Sequence, residues 1–379
     1  MRFWYETVAI MVGRIDIKKV ILCLAAVLFL APNWVGDARA ERGRAAAGVG
    51  NPYGFSVWGL TSKTVQQIKA AGVGWIRYQR DWQTIEPERG HFHWTELDKV
   101  VQIANQAGLK VSFPLQDAPN WAKTQVCDGK RLFAGPQQMA AYAGAVATRY
   151  DGKHGHGKID AFEVGNEEYD NYWGGYWENS LPCRQPKYYG PVLAAAARAI
   201  RAANPAALVG FQGMWWLDLG HFRSFYEWIY NHGYGNDFDF ANFHYYPCWQ
   251  SPSSDHPNPS FDQVWRTIHD VMAAHDQADK PIWVTEFGWN INSTNQNPSC
   301  QVSPAKQSNY LRQVLERARR SGVMRRVFWY TIGMGHDGMS LTQDGKPVPA
   351  YYTLQSYARK YPGWSISSWI GNSFSGDAE

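Results

Sequence analysis

The chain has 379 residues, 19 of them tryptophan, and a formal net charge of +4 at pH 7. It contains no basic run, so it gives no electrostatic case for nucleic acid or an anionic membrane, and we expect neither as a partner. The length suits one barrel domain with its loops, and the tryptophans suit a large aromatic core, stacking on sugar faces, or both.

Residues 1–40 predict a signal peptide. Basic residues precede the apolar run Val20 to Leu30, which is followed by Ala38-Arg39-Ala40, a cleavage pattern of the A-x-A type. Eleven apolar residues are too few to span a bilayer, so we expect cleavage before Glu41 and no stable membrane anchor afterwards. Cleavage removes five basic and three acidic residues and leaves a net charge of about +2. We therefore expect a secreted or periplasmic protein. We also expect it to be a monomer.

Short apolar runs alternate with helical patterns eight times in the remaining chain. The predicted strands are Tyr53–Trp58, Gly74–Tyr78, Lys110–Leu115, Ile159–Gly165, Ala207–Gln212, Phe238–His244, Pro281–Glu286 and Arg325–Tyr330. The predicted helices are Ser62–Ala71, Thr95–Ala107, Pro136–Tyr150, Lys187–Ala203, His221–His232, Phe261–Gln277, Pro304–Ser321 and Tyr351–Tyr361. This pattern predicts an α/β fold, a single-domain (β/α)8 TIM barrel over residues 41–362 with a short tail over 363–379.

Four cysteines remain after cleavage: Cys127, Cys183, Cys248 and Cys300. An even count in an exported chain indicates two disulfides, with three pairings open. The predicted loops after strands three and four carry the first two, and those after strands six and seven carry the others. Because neighbouring loops are close in space, we predict Cys127–Cys183 and Cys248–Cys300. The wide spacing does not favour zinc, and we expect no metal site and no cofactor.

Two strands end in similar acidic contexts. Strand four runs into Phe162-Glu163-Val164-Gly165-Asn166-Glu167-Glu168, and strand seven runs into Val284-Thr285-Glu286-Phe287-Gly288-Trp289. Strand alternation places Glu167 on the same side as Glu163, and Glu286 on the same side as Ile282 and Val284. If those sides face the barrel axis, both terminal acids point into the barrel mouth.

Two carboxyl groups across a barrel mouth indicate glycoside hydrolysis. Retaining enzymes hold an acid/base and a nucleophile about 5–5.5 Å apart. We assign Glu286 as the nucleophile and Glu167 as the acid/base. The structural alternative is that both acids cap helices or pair with surface cations.

Further polar and aromatic residues fall at strand ends or in the adjoining loops. Arg77 either keeps Glu286 ionised or pairs with the buried Glu163. Tyr246 is placed to bond the nucleophile, and His244 either contacts Glu167 or substrate, or is a packed and satisfied side chain. We expect the sugar-binding aromatic residues to include Trp121, Trp173, Trp289 and Trp329.

The two glutamate motifs resemble those of clan A of the glycoside hydrolases. Together with Asp81-Trp82-Gln83-Thr84-Ile85-Glu86-Pro87-Glu88-Arg89-Gly90, they look most like family 39. The resemblance implies that Glu167 is the acid/base, Glu286 the nucleophile, Asn166 a ligand of the sugar 2-hydroxyl, and Arg77 a neighbour of the nucleophile. The chain departs from the family's pattern at Gly165 and Glu168, where the family usually has an aromatic residue and proline.

The expected function is retaining hydrolysis of a β-linked polysaccharide or oligosaccharide. Long aromatic loops favour internal cleavage, and the resemblance makes a bacterial exopolysaccharide or a xylan-type chain the natural substrates. The alternatives are an exo-acting β-xylosidase-like enzyme, a transglycosylase with the same two acids, and a catalytically silent carbohydrate-binding barrel.

Overall fold

Eight parallel strands form one sheet in the computed structural model, which describes residues 50–127, 129–167, 185–215, 218–292, 300–333 and 338–364. The signal peptide, Trp173, Cys183 and the last 15 residues of the tail fall outside these ranges. The strands are β1 Tyr53–Val57, β2 Trp75–Tyr78, β3 Lys110–Leu115, β4 Ala161–Val164, β5 Leu208–Gly210, β6 Ala241–Tyr245, β7 Ile282–Phe287 and β8 Met324–Tyr330.

The sheet closes into a barrel. Its order is β5-β4-β3-β2-β1-β8-β7-β6, and every neighbouring pair is parallel. Two isolated parallel bridges, Gly210–Phe240 and Met214–Phe243, join the region of β5 to that of β6. The predicted TIM barrel is confirmed.

A helix follows each strand in the described ranges. These helices are α1 Ser62–Ala70, α2 Thr95–Gln106, α3 Pro136–Arg149, α4 Pro186–Ala203, α5 Leu219–Asn231, α6 Phe261–Ala274, α7 Pro304–Ser321 and α8 Pro349–Lys360. Local sequence fixes their starts: Ser260 and Gln263 form a reciprocal capping box at α6, and Ser303 caps α7 before Pro304. The helices bury one face against the strands, which makes the continuous outer core.

The barrel interior has an apolar layer and a polar layer. The apolar layer consists of Trp75, Ala161, Leu208, Phe240, Trp283 and Phe328. Two residues further along their strands, the inward side chains are polar and bonded to one another: Arg77, Glu163, Asn242 and Thr285, with Ser56 and Ser112 beside them. The barrel therefore becomes polar towards the carboxyl ends of its strands, where barrel enzymes place their active sites.

The side-chain alternation expected for strand seven is wrong. Trp283 and Thr285 face the barrel interior, whereas Ile282 and Val284 belong to the outer core. Glu286 still reaches the mouth because the register shifts: Val284 pairs with Phe243, but Glu286 pairs with the next residue, His244. This β-bulge adds one residue to β7 and re-aims the side chain that follows it.

The loop after β3 contains a hairpin that was predicted only as a long polar loop. Strands Lys123–Cys127 and Lys130–Ala134 pair antiparallel, and Gly129 has φ 73°. Asp128-Gly129 between two alternating runs is a hairpin signal in the sequence.

The predicted Cys248–Cys300 disulfide is confirmed, with Cα atoms 4.5 Å apart. Cys127 is also disulfide-bonded, and its predicted partner Cys183 lies outside the described ranges. None of the described helices is both long and apolar enough to cross a membrane.

Candidate active site

Glu167 and Glu286 meet at the mouth of the barrel. Together with His244 they offer ligand atoms that all lie within 4.8 Å of one another, and all three residues are buried. The structural alternative of helix caps or surface ion pairs is wrong for this pair, because neither acid is at the surface and their bonds run to other residues of the barrel mouth.

Three side chains donate hydrogen bonds to Glu286. Arg77 Nη1 lies 2.5 Å and Gln79 Nε2 lies 2.7 Å from Oε1, while Tyr246 Oη lies 2.7 Å from Oε2. Burial, and then the negative charge of Glu286, raise the pKa of Tyr246 well above its ordinary value, so the phenol stays protonated and donates. Three donors on two sides of one carboxyl group fix its orientation at the mouth.

Arg77 contacts both of the carboxyl groups that were proposed as its partners. Its Nε donates to Glu163 at 2.9 Å, its Nη1 to Glu286, and its Nη2 to Asn166 Oδ1 at 2.5 Å. Burial opposes the charge of the guanidinium, but the carboxylates of Glu163 and Glu286 outweigh burial and raise the pKa of Arg77. A permanent cation thus links the buried polar layer to the site.

His244 contacts Glu167, which was one of the possibilities open for it. Its Nδ1 lies 2.5 Å from Glu167 Oε1, and its Nε2 lies 3.2 Å from Thr285 Oγ1. Thr285 Oγ1 also lies 3.0 Å from Glu163 Oε2 and 2.9 Å from Asn242 Oδ1, and both of these oxygens accept hydrogen bonds. The single threonine proton goes to one of those acceptors, so His244 Nε2 donates to Thr285.

This arrangement leaves one proton between Glu167 and His244 Nδ1. The pair therefore consists of either a neutral carboxyl with neutral imidazole or a carboxylate with imidazolium. In both forms a proton is held on the side of the mouth opposite the three donors to Glu286. The two acids thus have different surroundings, the arrangement that separates an acid/base from a nucleophile.

The backbone after β4 turns sharply to place Glu167. Gly165 has φ 87° and Glu167 has φ 61°, and Glu167 N donates to Gly213 O at 3.1 Å. Because β4 ends at Val164, the position of the Glu167 carboxyl group is set by this turn and not by strand alternation. A Cβ atom at Gly213 would overlap the imidazole of His244, so the close approach of the loop after β5 requires glycine.

Two of the predicted sugar platforms are wrong. Trp289 and Trp329 are each 1% exposed, and their Nε1 atoms donate to the backbone oxygens of Gln250 and Met339. Trp121 is partly exposed and donates to Glu86 O. Trp173 lies outside the described ranges.

Three residues at the mouth were not predicted from the sequence: Gln79, Tyr330 and Trp58. Gln79 has the same strand parity as Arg77, which was the available signal. Tyr330 follows Trp329 and has the inward parity; its ring centroid lies 6.1 Å from that of Tyr246. Its hydroxyl accepts a hydrogen bond from Trp58, whose side chain is 37% exposed.

Two family models match the chain. A model described as glycosyl hydrolase catalytic core matches residues 186–352, and the glycosyl hydrolase family 10 model matches residues 66–208. No curated protein sequence matches the chain significantly.

Solved glycosidase structures share the fold. A family 39 glycoside hydrolase from Bacteroides cellulosilyticus WH2 has a TM-score of 0.61 and 20% identity over 81% of this chain. The match covers 63% of that protein's own chain. Xylanase B from Clostridium stercorarium F9 has a TM-score of 0.56 and 18% identity over 83% of this chain and 98% of its own. A structure of fungal β-1,4-galactanases has a TM-score of 0.56 and 16% identity over 80% of this chain and 93% of its own. The chain is thus similar to glycosyl hydrolases in two stretches of its sequence, and its barrel has the fold of the clan A glycoside hydrolases.

Proposed function

We propose that the protein is a retaining glycosidase that cleaves a β-linked polysaccharide through a covalent glycosyl-enzyme. The observation that carries the proposal is the approach of the Glu167 and Glu286 carboxyl groups, with ligand oxygens within 4.8 Å. Inverting enzymes keep their two carboxyl groups about 6.5–9.5 Å apart to leave room for a water between the base and the sugar, whereas an approach this close favours the retaining spacing of about 5–5.5 Å.

In the first step, a Glu286 oxygen attacks the anomeric carbon and the glycosidic C–O bond breaks. The leaving oxygen takes the proton held between Glu167 and His244. Arg77, Gln79 and Tyr246 fix the orientation of the attacking carboxylate. The side-chain oxygen of Asn166 accepts a hydrogen bond from Arg77. The N–H groups of the Asn166 amide are therefore the ones that donate to a sugar hydroxyl.

In the second step, Glu167 takes a proton from water, and the water oxygen attacks the anomeric carbon. The ester bond to Glu286 breaks, which regenerates the carboxylate. Each step inverts the anomeric carbon, so the product keeps the configuration of the substrate. The proton taken from water replaces the one given to the leaving oxygen, so the Glu167–His244 pair returns to its starting state.

A polymer substrate is supported by the exposed aromatic side chains near the mouth. Trp58 follows β1 and is 37% exposed, and Trp249 follows β6 and is 50% exposed. Exposed indole faces suit stacking on sugars beyond the cleavage point. The solved relatives named as xylanase and β-1,4-galactanase also support a β-linked chain.

We also propose export of the protein. The basic residues before Val20 to Leu30 and the Ala-x-Ala pattern support a cleaved signal, and a disulfide such as Cys248–Cys300 persists in oxidising compartments. N-terminal sequencing of protein secreted by an expressing cell tests it, with Glu41 expected as the first residue.

The experiment for the activity measures reducing-sugar release from β-glucans, xylans, mannans and bacterial exopolysaccharides. Wild type is compared with Glu286→Gln, Glu167→Gln and the exposed control Glu96→Gln. We expect activity on one polymer that both active-site substitutions reduce at least about 10³-fold and the control leaves intact. Full activity in Glu286→Gln refutes the nucleophile assignment. Binding without release indicates the silent barrel, and release of single sugars from chain ends indicates the exo-acting alternative.

A further inference from the structure

A buried threonine lies behind the acid/base, on the side of His244 that faces away from Glu167. Thr285 Oγ1 is 3.2 Å from His244 Nε2, while His244 Nδ1 is 2.5 Å from Glu167 Oε1. Thr285 and His244 are both fully buried. The imidazole is thus held at both of its nitrogen atoms, at one by the acid/base and at the other by the barrel interior.

The bulge in β7 places this threonine. In a regular strand, consecutive side chains point to opposite faces of the sheet. The residues on either side of Thr285 pair with Phe243 and His244, which are consecutive on β6. Thr285 is therefore the extra residue of the bulge, and both it and Glu286 face the barrel interior. Thr285 reaches behind His244, and Glu286 reaches the mouth.

The polar layer fixes the direction of the hydrogen bond between His244 and Thr285. Thr285 Oγ1 lies 3.0 Å from Glu163 Oε2 and 2.9 Å from Asn242 Oδ1, and the threonine proton goes to one of these two oxygens. The amide nitrogen of Asn242 donates to Glu163 at 3.0 Å, so its oxygen is the atom that faces Thr285. Thr285 therefore accepts from His244, and a proton stays on Nε2.

The surroundings of the imidazole ring fix its position. A Cβ atom at Gly213 would lie 2.0 Å from His244 Nε2, so the loop after β5 lies directly against the ring. The backbone N of His244 donates to Met214 O at 2.7 Å. Nδ1 is 3.8 Å from Glu286 Oε2, beyond hydrogen-bond distance, and is bonded to Glu167 instead. Nε2 therefore contacts the interior, and Nδ1 shares a proton with Glu167.

We propose that Thr285 is a positioning residue for the acid/base, and this role rests on the retaining mechanism proposed above. By holding one proton on Nε2, Thr285 makes the proton between Nδ1 and Glu167 the second proton of the pair. That second proton goes to the leaving oxygen when the glycosidic bond breaks. Without the hydroxyl, the neutral imidazole carries its one proton on Nδ1 and donates it to a Glu167 carboxylate. The pair then holds one proton fewer, and no acidic proton faces the leaving oxygen.

The dependence of the rate on the leaving group separates this role from a structural one. A sugar leaving group needs the proton, whereas 2,4-dinitrophenolate leaves as a stable anion without it. We measure kcat/KM on the polymer identified by reducing-sugar release and on the 2,4-dinitrophenyl β-glycoside of the shortest oligosaccharide released from it. Thr285→Val is expected to lower kcat/KM on the polymer by at least about 10²-fold and to leave that on the dinitrophenyl glycoside nearly unchanged. A loss by the same factor on both substrates overturns the proposal.

Two further variants control for packing. Thr285→Ser keeps the hydroxyl and is expected to retain most of the activity on the polymer. Thr267→Val makes the same substitution at another buried threonine, in α6, and is expected to keep the wild-type ratio of the two kcat/KM values. If Thr285→Ser loses as much activity on the polymer as Thr285→Val, the hydroxyl is not the group that matters and the proposal is overturned.

A spectroscopic test needs no substrate. Nitrogen-15 NMR distinguishes a protonated ring nitrogen from a bare one, and the signals of His244 are those that disappear from the set of 11 histidines in His244→Gln. We expect a protonated Nε2 in wild type and in Thr285→Ser, and a bare Nε2 with a protonated Nδ1 in Thr285→Val. These signals in a protein that cleaves none of the polymers would count against the proposed function, and not against the proton position that Thr285 sets. A bare Nε2 in wild type, or the same His244 signals in wild type and Thr285→Val, overturns the proposal.

Discussion

Glu163→Gln tests whether the buried polar layer holds the active site together. Glu163 is fully buried and accepts hydrogen bonds from four side chains: Arg77, Ser112, Asn242 and Thr285. Glutamine has nearly the same shape but carries an N–H2 group in place of one acceptor oxygen. In either orientation that group faces donors, and Arg77 loses one of its two carboxylate partners.

The expected cost is large for a single substitution. Removing one partner of a buried ion pair destabilises a protein by about 3–5 kcal/mol. A change of 1 kcal/mol lowers the melting temperature of a large domain by about 2 °C, so we expect a decrease of about 6–10 °C.

The assay is thermal unfolding followed by tryptophan fluorescence, with a urea titration as a second measurement. Glu96→Gln, an exposed glutamate in α2, is the matched control and is expected to change the melting temperature by less than about 1 °C. A melting temperature for Glu163→Gln equal to that of wild type would refute the account of the polar layer.

Two other substitutions test contacts within the site. Tyr246→Phe removes one hydrogen bond to Glu286 and is expected to lower kcat/KM by about 10- to 100-fold with little change in melting temperature; an unchanged kcat/KM would show that the bond does not assist the nucleophile. Gly213→Ala places a methyl group against the imidazole of His244 and is expected to reduce kcat by at least about 10-fold. Gly144→Ala, where the added methyl makes an ordinary contact in α3, is expected to keep wild-type kcat. Equal kcat for the two alanine variants would contradict the close packing around His244.

Hydrophobic periodicity predicted the barrel because each strand–helix unit carries its own local signal. The eight strands and eight helices match those in the structure, with ends that differ by a few residues, as at β5. The hairpin after β3 was missed because its strands lie outside the barrel and only its Asp-Gly turn signals it.

The candidate site was predicted because its acids follow strands, but the reason given for Glu286 was incorrect. Alternation assumes an uninterrupted ladder, and the bulge at Thr285 breaks it. Only the pairing of β7 with its neighbours reveals such a bulge. The aromatic assignments failed for a similar reason: loop position alone does not determine whether a tryptophan such as Trp289 packs inward.

The most direct test of the central claim is the configuration of the first product. Proton NMR spectra, recorded within minutes of adding enzyme to the β-linked polymer that it cleaves, show which anomer of the new reducing end forms first. Glu167 and Glu286 are close enough for double displacement, so the β-anomer is predicted first, with the α-anomer appearing later by mutarotation. Initial release of the α-anomer would show single displacement and contradict the assignment of Glu286 as the nucleophile.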